Sequence, residues 1–294
     1  MPMVPHVVMI GAPERGTLQP ALVDSVRNAW SGADVAWLAP DEAAAFAVPI
    51  APSNAAEVGE TCRSMNVDLV LLPGPPRRRQ LLIADMDSTM IGEECIDELA
   101  DEAGVGARVA DITARAMNGE MNFEEALLER VGLLKDLPVS VISHVLANRI
   151  HAASGAEVLL RTLTSLGTYT ALVSGGFTAF TGSVATRLGF DEHRANVLLK
   201  AEGRLTGDVA RPILGKEAKV TTLHEVADRL GISSEDVVAV GDGANDLGML
   251  DQAGLGVALH AKPAVATAAP IRIDHGDLTA LLYLQGIARK EFVT

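Results

Sequence analysis

The stretch LLIADMDST at residues 81–89 decides how this chain is expected to fold. Its first four residues are apolar without interruption, as in a central strand of a parallel sheet that is covered on both faces. Similar runs recur at residues 170–173 and 237–240, and each is followed by a glycine-rich turn and helical sequence. This alternation predicts a doubly wound, Rossmann-like α/β domain. Ligands of such sheets bind beyond the carboxyl ends of the strands, where the three turns should meet.

The segment that follows the first of these strands has a different pattern. Residues 93–150 are rich in Ala, Glu, Leu and Arg and contain no run typical of a strand. The predicted helices are Glu93–Ala103, Arg108–Asn118, Phe123–Leu134 and Val139–Ile150. An all-helical insertion after the first strand of an α/β core is expected to form a cap over the ligand site.

The residues before this core predict a separate small module. They alternate as strand, helix, strand, strand, helix, strand, which is the order of a ferredoxin-like βαββαβ fold. The PGPP sequence at residues 73–76 then favours a linker. We therefore expect an accessory module at 1–75, an α/β core at 76–92 and 151–294, and the helical cap at 93–150.

Composition narrows the class of protein. The formal net charge is -14 and only 3% of the residues are aromatic, which argues against binding to nucleic acid or to an anionic membrane. The basic cluster at residues 77–79 is too short to change this, and we interpret it as a solvated linker face. Two cysteines without metal-ligand spacing make a disulfide framework unexpected. With no export signal or long apolar run, a cytoplasmic location is expected.

The ends of the three predicted strands carry residues suited to phosphoryl transfer. Asp85 and Asp87 follow the first strand, where one carboxylate could attack phosphorus and the other could act as the general acid and base. This pattern alone is weak, because Asp-x-Asp is common in turns. Ser174 and Gly175 end the second strand before a helix, an arrangement that suits a phosphoryl oxygen but also an ordinary turn.

Positive charge and metal ligands complete the predicted site. Lys219 could neutralise the phosphate together with the Asp85 carboxylate, although Lys216 and Lys200 are competing candidates. The third strand ends in GDGAND at residues 241–246. Asp85, Asp242 and the Asp87 carbonyl would supply the oxygen ligands that Mg²⁺ prefers, and Asp246 would bond to those ligands rather than to the ion.

Together these motifs resemble the haloacid dehalogenase superfamily of phosphotransferases, over residues 81 to about 284. Its signature is a D-x-D-x-T strand end, a later Ser or Thr, a Lys, and a G-D-x-x-N-D segment. Within the superfamily, the stretches DMDST, NFEE, LLKDLP, VSGGF and VGDGAND are similar to those of phosphoserine phosphatases. The resemblance implies hydrolysis of O-phospho-L-serine through an aspartyl phosphate, with Mg²⁺ as cofactor.

The resemblance also assigns roles to individual residues. It implies that Asp85 is the nucleophile, Asp87 the acid and base, and Asp242 a metal ligand. Ser174 and Lys219 would bind the phosphate, and the spacing of Lys219 from Asp242 favours it over Lys216. Residues that would contact the substrate further are Gly175 and Asn245.

Two cap residues are implied to choose the substrate. Glu94 and Arg130 would bind the ammonium and the carboxylate of a free amino acid, a pairing that suits a Glu and a bidentate Arg. Without the resemblance, either residue would be interpreted as a solvated helix charge.

Other functions stay open on the sequence alone. One is a related phosphatase or phosphotransferase on the same scaffold, and another is a non-enzymatic amino-acid sensor. The N-terminal module is interpreted as an accessory or dimerisation domain in preference to a serine-sensing site, so a homodimer is an open expectation. The expected partner is a small phosphomonoester, with no nucleic acid and no membrane.

Overall fold

A computed structural model describes residues 3–13, 15–117 and 120–294. Its N-terminal module is a four-stranded sheet with two helices. In chain order the elements are β1 (His6–Gly11), α1 (Pro20–Ala29), β2 (Ala36–Ala39), β3 (Ala43–Ala47), α2 (Ala55–Ser64) and β4 (Val67–Leu72). The strand order is β2-β3-β1-β4, and every neighbouring pair is antiparallel. The predicted ferredoxin-like element order is confirmed.

The second sheet has six parallel strands. They are β5 (Leu81–Ala84), β6 (Tyr169–Phe177), β7 (Glu192–Asn196), β10 (Val237–Gly241), β11 (Leu255–Leu259) and β12 (Ile271–Ile273), in the order β12-β11-β10-β5-β6-β7. Both faces are covered, so all four residues of β5 are fully buried. The predicted doubly wound core is therefore confirmed.

Helices flank this sheet, and a hairpin that the sequence pattern did not predict extends from it. The helices are α7 (Ala156–Ser165), α8 (Thr178–Leu188), α9 (Lys216–Leu230), α10 (Leu247–Gln252), α11 (Pro263–Ala268) and α12 (Ala280–Tyr283). The hairpin consists of β8 (Leu198–Ala201) and β9 (Arg204–Val209). It reaches the cap, where Pro138 forms an isolated bridge with Arg204.

The cap inserted after β5 is helical, as predicted. Its helices are α3 (Cys95–Glu102), α4 (Gly106–Met117), α5 (Phe123–Gly132) and α6 (Ser140–Asn148). The predicted end of the second helix, Asn118, lies outside the described residues. Helix α5 begins with a capping box, in which the side chains of Asn122 and Glu125 each accept a bond from the other's backbone N–H.

The two chain segments that connect the cap to the core lie side by side. Ile91 and Ala152 form an antiparallel bridge, and the Gly92 N–H donates to the His151 carbonyl at 3.2 Å. Because the entry and exit segments are hydrogen-bonded to each other, we call this pair of connections the paired hinge of the cap.

Buried polar contacts attach the N-terminal module to the core. The fully buried Asp68 carboxylate accepts hydrogen bonds from three successive backbone N–H groups, at residues 274–276. The Tyr283 hydroxyl donates to Glu42 at 2.7 Å. The linker arginines Arg77 and Arg78 are solvated as predicted, with 44% and 55% of their side chains exposed, and Arg77 also pairs with Asp236 at 2.6 Å.

Two general expectations concern cysteines and membranes. Cys62 and Cys95 are both free and buried, which confirms that no disulfide joins them. Within the described residues, none of the helices combines the length and the apolar character that crossing a membrane requires.

Candidate active site

The three strands singled out by the sequence are neighbours in the order β10-β5-β6. Their carboxyl ends therefore meet at one edge of the sheet. Asp85 directly follows β5, Ser174 lies in the last part of β6, and Asp242 directly follows β10. The fold thus brings Asp85 and Asp242 together, although they are 157 residues apart in the chain.

Lys219 is buried against two carboxylates. Its ammonium nitrogen lies 2.7 Å from Asp85 Oδ1 and 2.5 Å from Asp246 Oδ1, and only 2% of its side chain is exposed. Burial alone would lower the pKa of Lys219, but the two carboxylates raise it above its ordinary value. Lys219 therefore stays cationic. Lys216 is 70% exposed and pairs with Glu217, so it lies outside this contact.

Burial raises the pKa of the Asp85 carboxyl, Lys219 opposes this effect, and the charge of Asp246 adds to the rise. The Met86 N–H donates to Asp85 Oδ1 at 2.8 Å. One carboxylate oxygen thus receives two donors, which fixes the orientation of the side chain. The other oxygen is the one left to face a substrate.

Asp87 is held between the first and second strand ends. Its Oδ1 accepts from the Cys95 N–H at 2.9 Å, and its Oδ2 accepts from the Ser174 hydroxyl at 3.1 Å. The Ser174 oxygen in turn accepts from the Gly176 N–H at 2.8 Å. A Cβ atom at Gly176 would lie 2.9 Å from Asp87 Oδ2, so glycine is needed for this approach.

A cluster of three carboxylates could hold a metal ion. Asp85, Asp242 and Asp246 each offer an oxygen atom, and these atoms lie within 4.8 Å of one another. Both Asp246 oxygens are already bonded, Oδ1 to Lys219 and Oδ2 to the Gly243 N–H at 2.9 Å, whereas Asp85 and Asp242 are bonded through Oδ1 alone among the described residues, which makes them the more available ligands. An all-oxygen donor set of this kind suits Mg²⁺. The residues present therefore fit the ion that the sequence motifs predict.

The orientation of Asp242 is set by Thr89, the last residue of the DMDST motif. The Thr89 hydroxyl donates to Asp242 Oδ1 at 3.2 Å and so connects the first and third strand ends. Burial raises the pKa of Asp242, and the neighbouring charge of Asp246 adds to the effect. A divalent cation beside these groups would offset the accumulated negative charge.

Glu94 and Arg130 are the two cap residues that the sequence predicted to choose the substrate. The Glu94 Oε1 accepts from the Ser88 hydroxyl at 2.8 Å, while its side chain keeps contact with solvent at the mouth of the site. Burial by the surrounding protein, followed by the charge of Asp87, raises the pKa of Glu94 to about 7. Within the described part of the chain, the one hydrogen bond that the Arg130 side chain donates is to the Ala126 carbonyl oxygen, at 3.2 Å from its Nε.

The Arg130 guanidinium has no carboxylate within ion-pair distance among the described residues. Burial lowers its pKa, and the charges of Asp97 and Glu94 act in the opposite direction. Its terminal nitrogens are thus free to bind an anion from the substrate. Asn245 lies beside Gly243 on the loop after β10, and its side chain makes no protein hydrogen bond in the described structure.

Comparison with known proteins identifies a family whose matched region includes these strand ends. The family model of haloacid dehalogenase-like hydrolases matches residues 82–251. The chain belongs to this family. It is 43% identical over 242 residues to a phosphoserine phosphatase of Archaeoglobus fulgidus, covering 80% of this chain and 70% of that protein.

Solved structures of the same family agree with the fold. A family hydrolase from Salmonella enterica serovar Typhi superposes with a TM-score of 0.86 at 30% identity, covering 96% of this chain and 98% of that one. A phospho-aspartyl intermediate analogue of a phosphoserine phosphatase superposes with a TM-score of 0.65 at 43% identity. This superposition covers 70% of this chain and 99% of that chain.

Two residues of this haloacid dehalogenase-like site were not predicted from the sequence. Asn196 is buried and joins β6 to the segment before α9, since its side-chain N–H donates to the Gly175 carbonyl at 2.8 Å and its side-chain oxygen accepts from the Leu214 N–H at 2.7 Å. Phe123, at the start of α5, brings its ring within 3.3 Å of a Cβ built on Gly175. Nothing in the local sequence marks Asn196, whereas Phe123 lies in the quoted NFEE motif.

Proposed function

We propose that this protein hydrolyses O-phospho-L-serine to L-serine and phosphate through a phosphoaspartate at Asp85. The observation that carries the proposal is the contact of Lys219 with Asp85, next to a cap region that contains Glu94 and Arg130, the latter without an ion-pair partner among the described residues. The names of the similar proteins support the same substrate. The reaction would supply the last step of serine biosynthesis.

The proposed first step is attack of the free Asp85 carboxylate oxygen on phosphorus. The bond between phosphorus and the serine oxygen breaks, and protonated Asp87 gives its proton to that oxygen. The Ser174 hydroxyl and the Lys219 ammonium lie where they could bind phosphoryl oxygens. The products of this step are serine and an aspartyl phosphate.

In the second step, Asp87 takes a proton from a water molecule, whose oxygen attacks the phosphorus of the aspartyl phosphate. Phosphate leaves, the Asp85 carboxylate is restored, and Asp87 is protonated again. Mg²⁺ held by Asp85, Asp242 and the Asp87 backbone carbonyl would, when bound, offset the negative charge of the phosphoryl group.

Substrate choice is assigned to the cap region. The Arg130 fork would bind the substrate carboxylate, and Glu94 would bind its ammonium. Gly175 and Asn245 would contact the substrate from the core side. Closure of the cap, residues 93–150, over the core at 76–92 and 151–294 would exclude water during the first step.

The proposal also includes the cellular setting. A cytoplasmic location agrees with two free cysteines, as is usual in a reducing compartment. The module at 1–75 is proposed as an accessory domain that could support a homodimer, which sedimentation analysis of the full chain would test.

The experiment that tests the function is phosphate release from phosphoserine, phosphothreonine, phosphoethanolamine and p-nitrophenyl phosphate, with Mg²⁺ and with EDTA. We expect metal-dependent turnover with a strong preference for phosphoserine. Equal weak rates on all four would refute the roles of Glu94 and Arg130 and retain a general phosphatase. Substantial turnover by a folded Asp85→Asn variant would refute the phosphoaspartate itself.

A further inference from the structure

Asn196, the last residue of β7, has a side chain that is buried between two elements of the active site. Only 2% of the residue is exposed. Its amide nitrogen donates to the Gly175 carbonyl at 2.8 Å and to the Leu214 carbonyl at 3.2 Å, and its oxygen accepts from the Leu214 N–H at 2.7 Å. The reverse orientation of the amide would place its oxygen against two carbonyl oxygens, so the network fixes which atom is the donor.

The bond to Gly175 sets the orientation of one peptide group. The Gly175 carbonyl and the Gly176 N–H belong to the same planar peptide unit. On one side the carbonyl accepts from Asn196, and on the other side the Gly176 N–H donates to Ser174 Oγ at 2.8 Å. Because both residues of this unit are glycines, the peptide would rotate with little steric resistance if the bond from Asn196 were lost.

The Ser174 hydroxyl transmits this orientation to Asp87. Its oxygen accepts from the Gly176 N–H, so its hydrogen is directed to a different partner, Asp87 Oδ2, at 3.1 Å. The other Asp87 oxygen accepts from the Cys95 N–H at 2.9 Å. The placement of the Asp87 carboxyl therefore depends on a chain of hydrogen bonds that begins at Asn196.

The two bonds to Leu214 fix the segment that leads into α9. Leu214 directly precedes Gly215, the N-cap residue of this helix. As a glycine, Gly215 has no side chain with which to hold the start of the helix. Lys219 lies about one turn into α9 and contacts Asp85. One buried side chain thus holds together the two elements that carry the proposed phosphate ligands, β6 and α9.

From this geometry we propose that Asn196 is a positioning residue for the reaction. It orients the Ser174 hydroxyl and, through it, the Asp87 carboxyl that protonates the leaving oxygen, and it holds β6 against the start of α9. Because it is buried, it acts through these neighbours and does not touch the substrate. The inference rests on the proposed phosphatase function and assigns a further residue to the same site.

The first test compares leaving groups. Phosphoserine and phosphoethanolamine release an alkoxide, which needs the proton of Asp87, whereas p-nitrophenyl phosphate releases a phenolate that leaves without one. Asn196→Leu removes all three hydrogen bonds with a side chain of similar shape. We expect its kcat/KM for both alkyl phosphates to fall about 10-fold more than that for p-nitrophenyl phosphate. Asn196→Asp replaces the donating nitrogen by oxygen and serves as a second variant with the same expected pattern.

Thr170→Val is the matched control on the same strand. Thr170 is fully buried near the amino end of β6, where its hydroxyl donates to Asp191 Oδ2 at 3.0 Å and accepts from the Asp191 N–H at 3.1 Å. This substitution removes buried hydrogen bonds of β6 but leaves the chain to Asp87 intact. All three substrates should therefore change by the same factor. An equal fall on all three substrates in the Asn196 variants would overturn the proposal, because Asn196 would then be structural only.

A second measurement does not depend on turnover. Amide hydrogen exchange, read by mass spectrometry on the full-length protein without substrate, follows the peptides that contain the N–H groups of Gly176 and Leu214. We expect exchange in both peptides to become about 10-fold faster in Asn196→Leu but not in Thr170→Val. Unchanged exchange of the Gly176 peptide would overturn the proposal. If the wild type hydrolysed none of the three substrates, the proposed function would fail, while the exchange result would still decide whether Asn196 orients this peptide group.

Discussion

The Lys219 ammonium lies 2.7 Å from Asp85 Oδ1 and 2.5 Å from Asp246 Oδ1, in a position where its side chain is only 2% exposed. One buried cation thus compensates two buried carboxylates. If one of these charges is removed, a buried charge of the opposite sign is left without compensation.

Replacement of Lys219 by methionine should therefore affect stability as well as activity. We expect a loss of about 3–5 kcal/mol in the free energy of unfolding, measured by urea titration in the absence of metal. Lys216→Met provides the matched control on the same helix, because Lys216 is 70% exposed. Its stability should change by less than about 0.5 kcal/mol. Equal effects of both substitutions would contradict the buried charge arrangement.

Metal binding should stabilise the folded protein. Asp85, Asp242 and Asp246 lie within 4.8 Å of one another and have one ammonium as counter-charge, so Mg²⁺ should raise the melting temperature relative to EDTA. A ligand at 100 times its Kd contributes about 2.7 kcal/mol. Asp242→Asn should lose most of this increase, whereas Asp251→Asn, at an exposed position on α10, should keep it. An unchanged increase in Asp242→Asn would place the ion elsewhere.

Substitution of Arg130 should change the KM only of substrates that carry a carboxylate. We expect Arg130→Ala to raise the KM for phosphoserine at least about 10-fold, since a charge-assisted bidentate contact is lost. The same variant should leave phosphoethanolamine and p-nitrophenyl phosphate within about 2-fold. Arg115→Ala, an arginine on the cap surface paired with Glu129, is the control and should change neither. A uniform loss on all substrates would indicate that Arg130 holds the cap together.

Much of this site could be predicted because its motifs lie at strand ends. A run such as LLIA fixes a buried strand locally, and the carboxyl ends of parallel strands share an edge whatever the rest of the chain does. The burial of Lys219 could not be predicted from its local sequence, because a lysine on a helix is usually exposed. Only the fold buries it against Asp85. The strand order supplies that information, which the local sequence lacks.

Contacts between distant segments could not be predicted in this way. Asp68 occurs in the strand VDLVLL, where a polar residue at an alternating position suggests a solvent-facing side chain. In the structure Asp68 is fully buried, and its carboxylate accepts hydrogen bonds from three backbone N–H groups that lie more than 200 residues later in the chain. Asn196 is similar, because its partners are main-chain atoms of β6 and of the segment before α9. Main-chain donors and acceptors leave no mark in the sequence.

The affinity for phosphoserine should depend on the protonation of Glu94. Its pKa is raised to about 7, mainly by burial, so the carboxyl is neutral below that pH and negative above it. Attraction of the substrate ammonium is therefore present at high pH and lost as the pH falls through the pKa. A bound metal ion adds positive charge near Asp87 and would move this transition downward from about pH 7.

The measurement is the ratio of kcat/KM for phosphoserine to that for p-nitrophenyl phosphate. Both substrates have a titrating phosphate, but only phosphoserine has an ammonium, so the ratio isolates Glu94. We expect the ratio to rise with increasing pH in the wild type and to be low and independent of pH in Glu94→Gln. If the ratio still changed with pH in the variant, the transition would belong to another group.

Gly155 and Gly231 offer a test of the hinge that carries the cap. Both have left-handed backbones, with φ of 78° and 68°. A Cβ atom at Gly231 would meet nothing within 4 Å, so Gly231→Ala should cost only the backbone strain of about 1–2 kcal/mol. A Cβ at Gly155 would lie 2.9 Å from three atoms of the Asp277 carboxylate, which holds the Ser154 hydroxyl at 2.6 Å.

Gly155→Ala must therefore either displace Asp277 or shift the start of α7. We expect it to lower the free energy of unfolding by about 1–3 kcal/mol more than Gly231→Ala, because hydrogen bonds of a buried carboxylate are lost in addition to the strain. Urea titrations of both variants provide the comparison. Since Ser154 follows the paired hinge segment directly, the Gly155 variant should also show faster proteolysis near residues 150–155. Equal costs for the two substitutions would mean that Asp277 moves aside freely and does not hold the hinge.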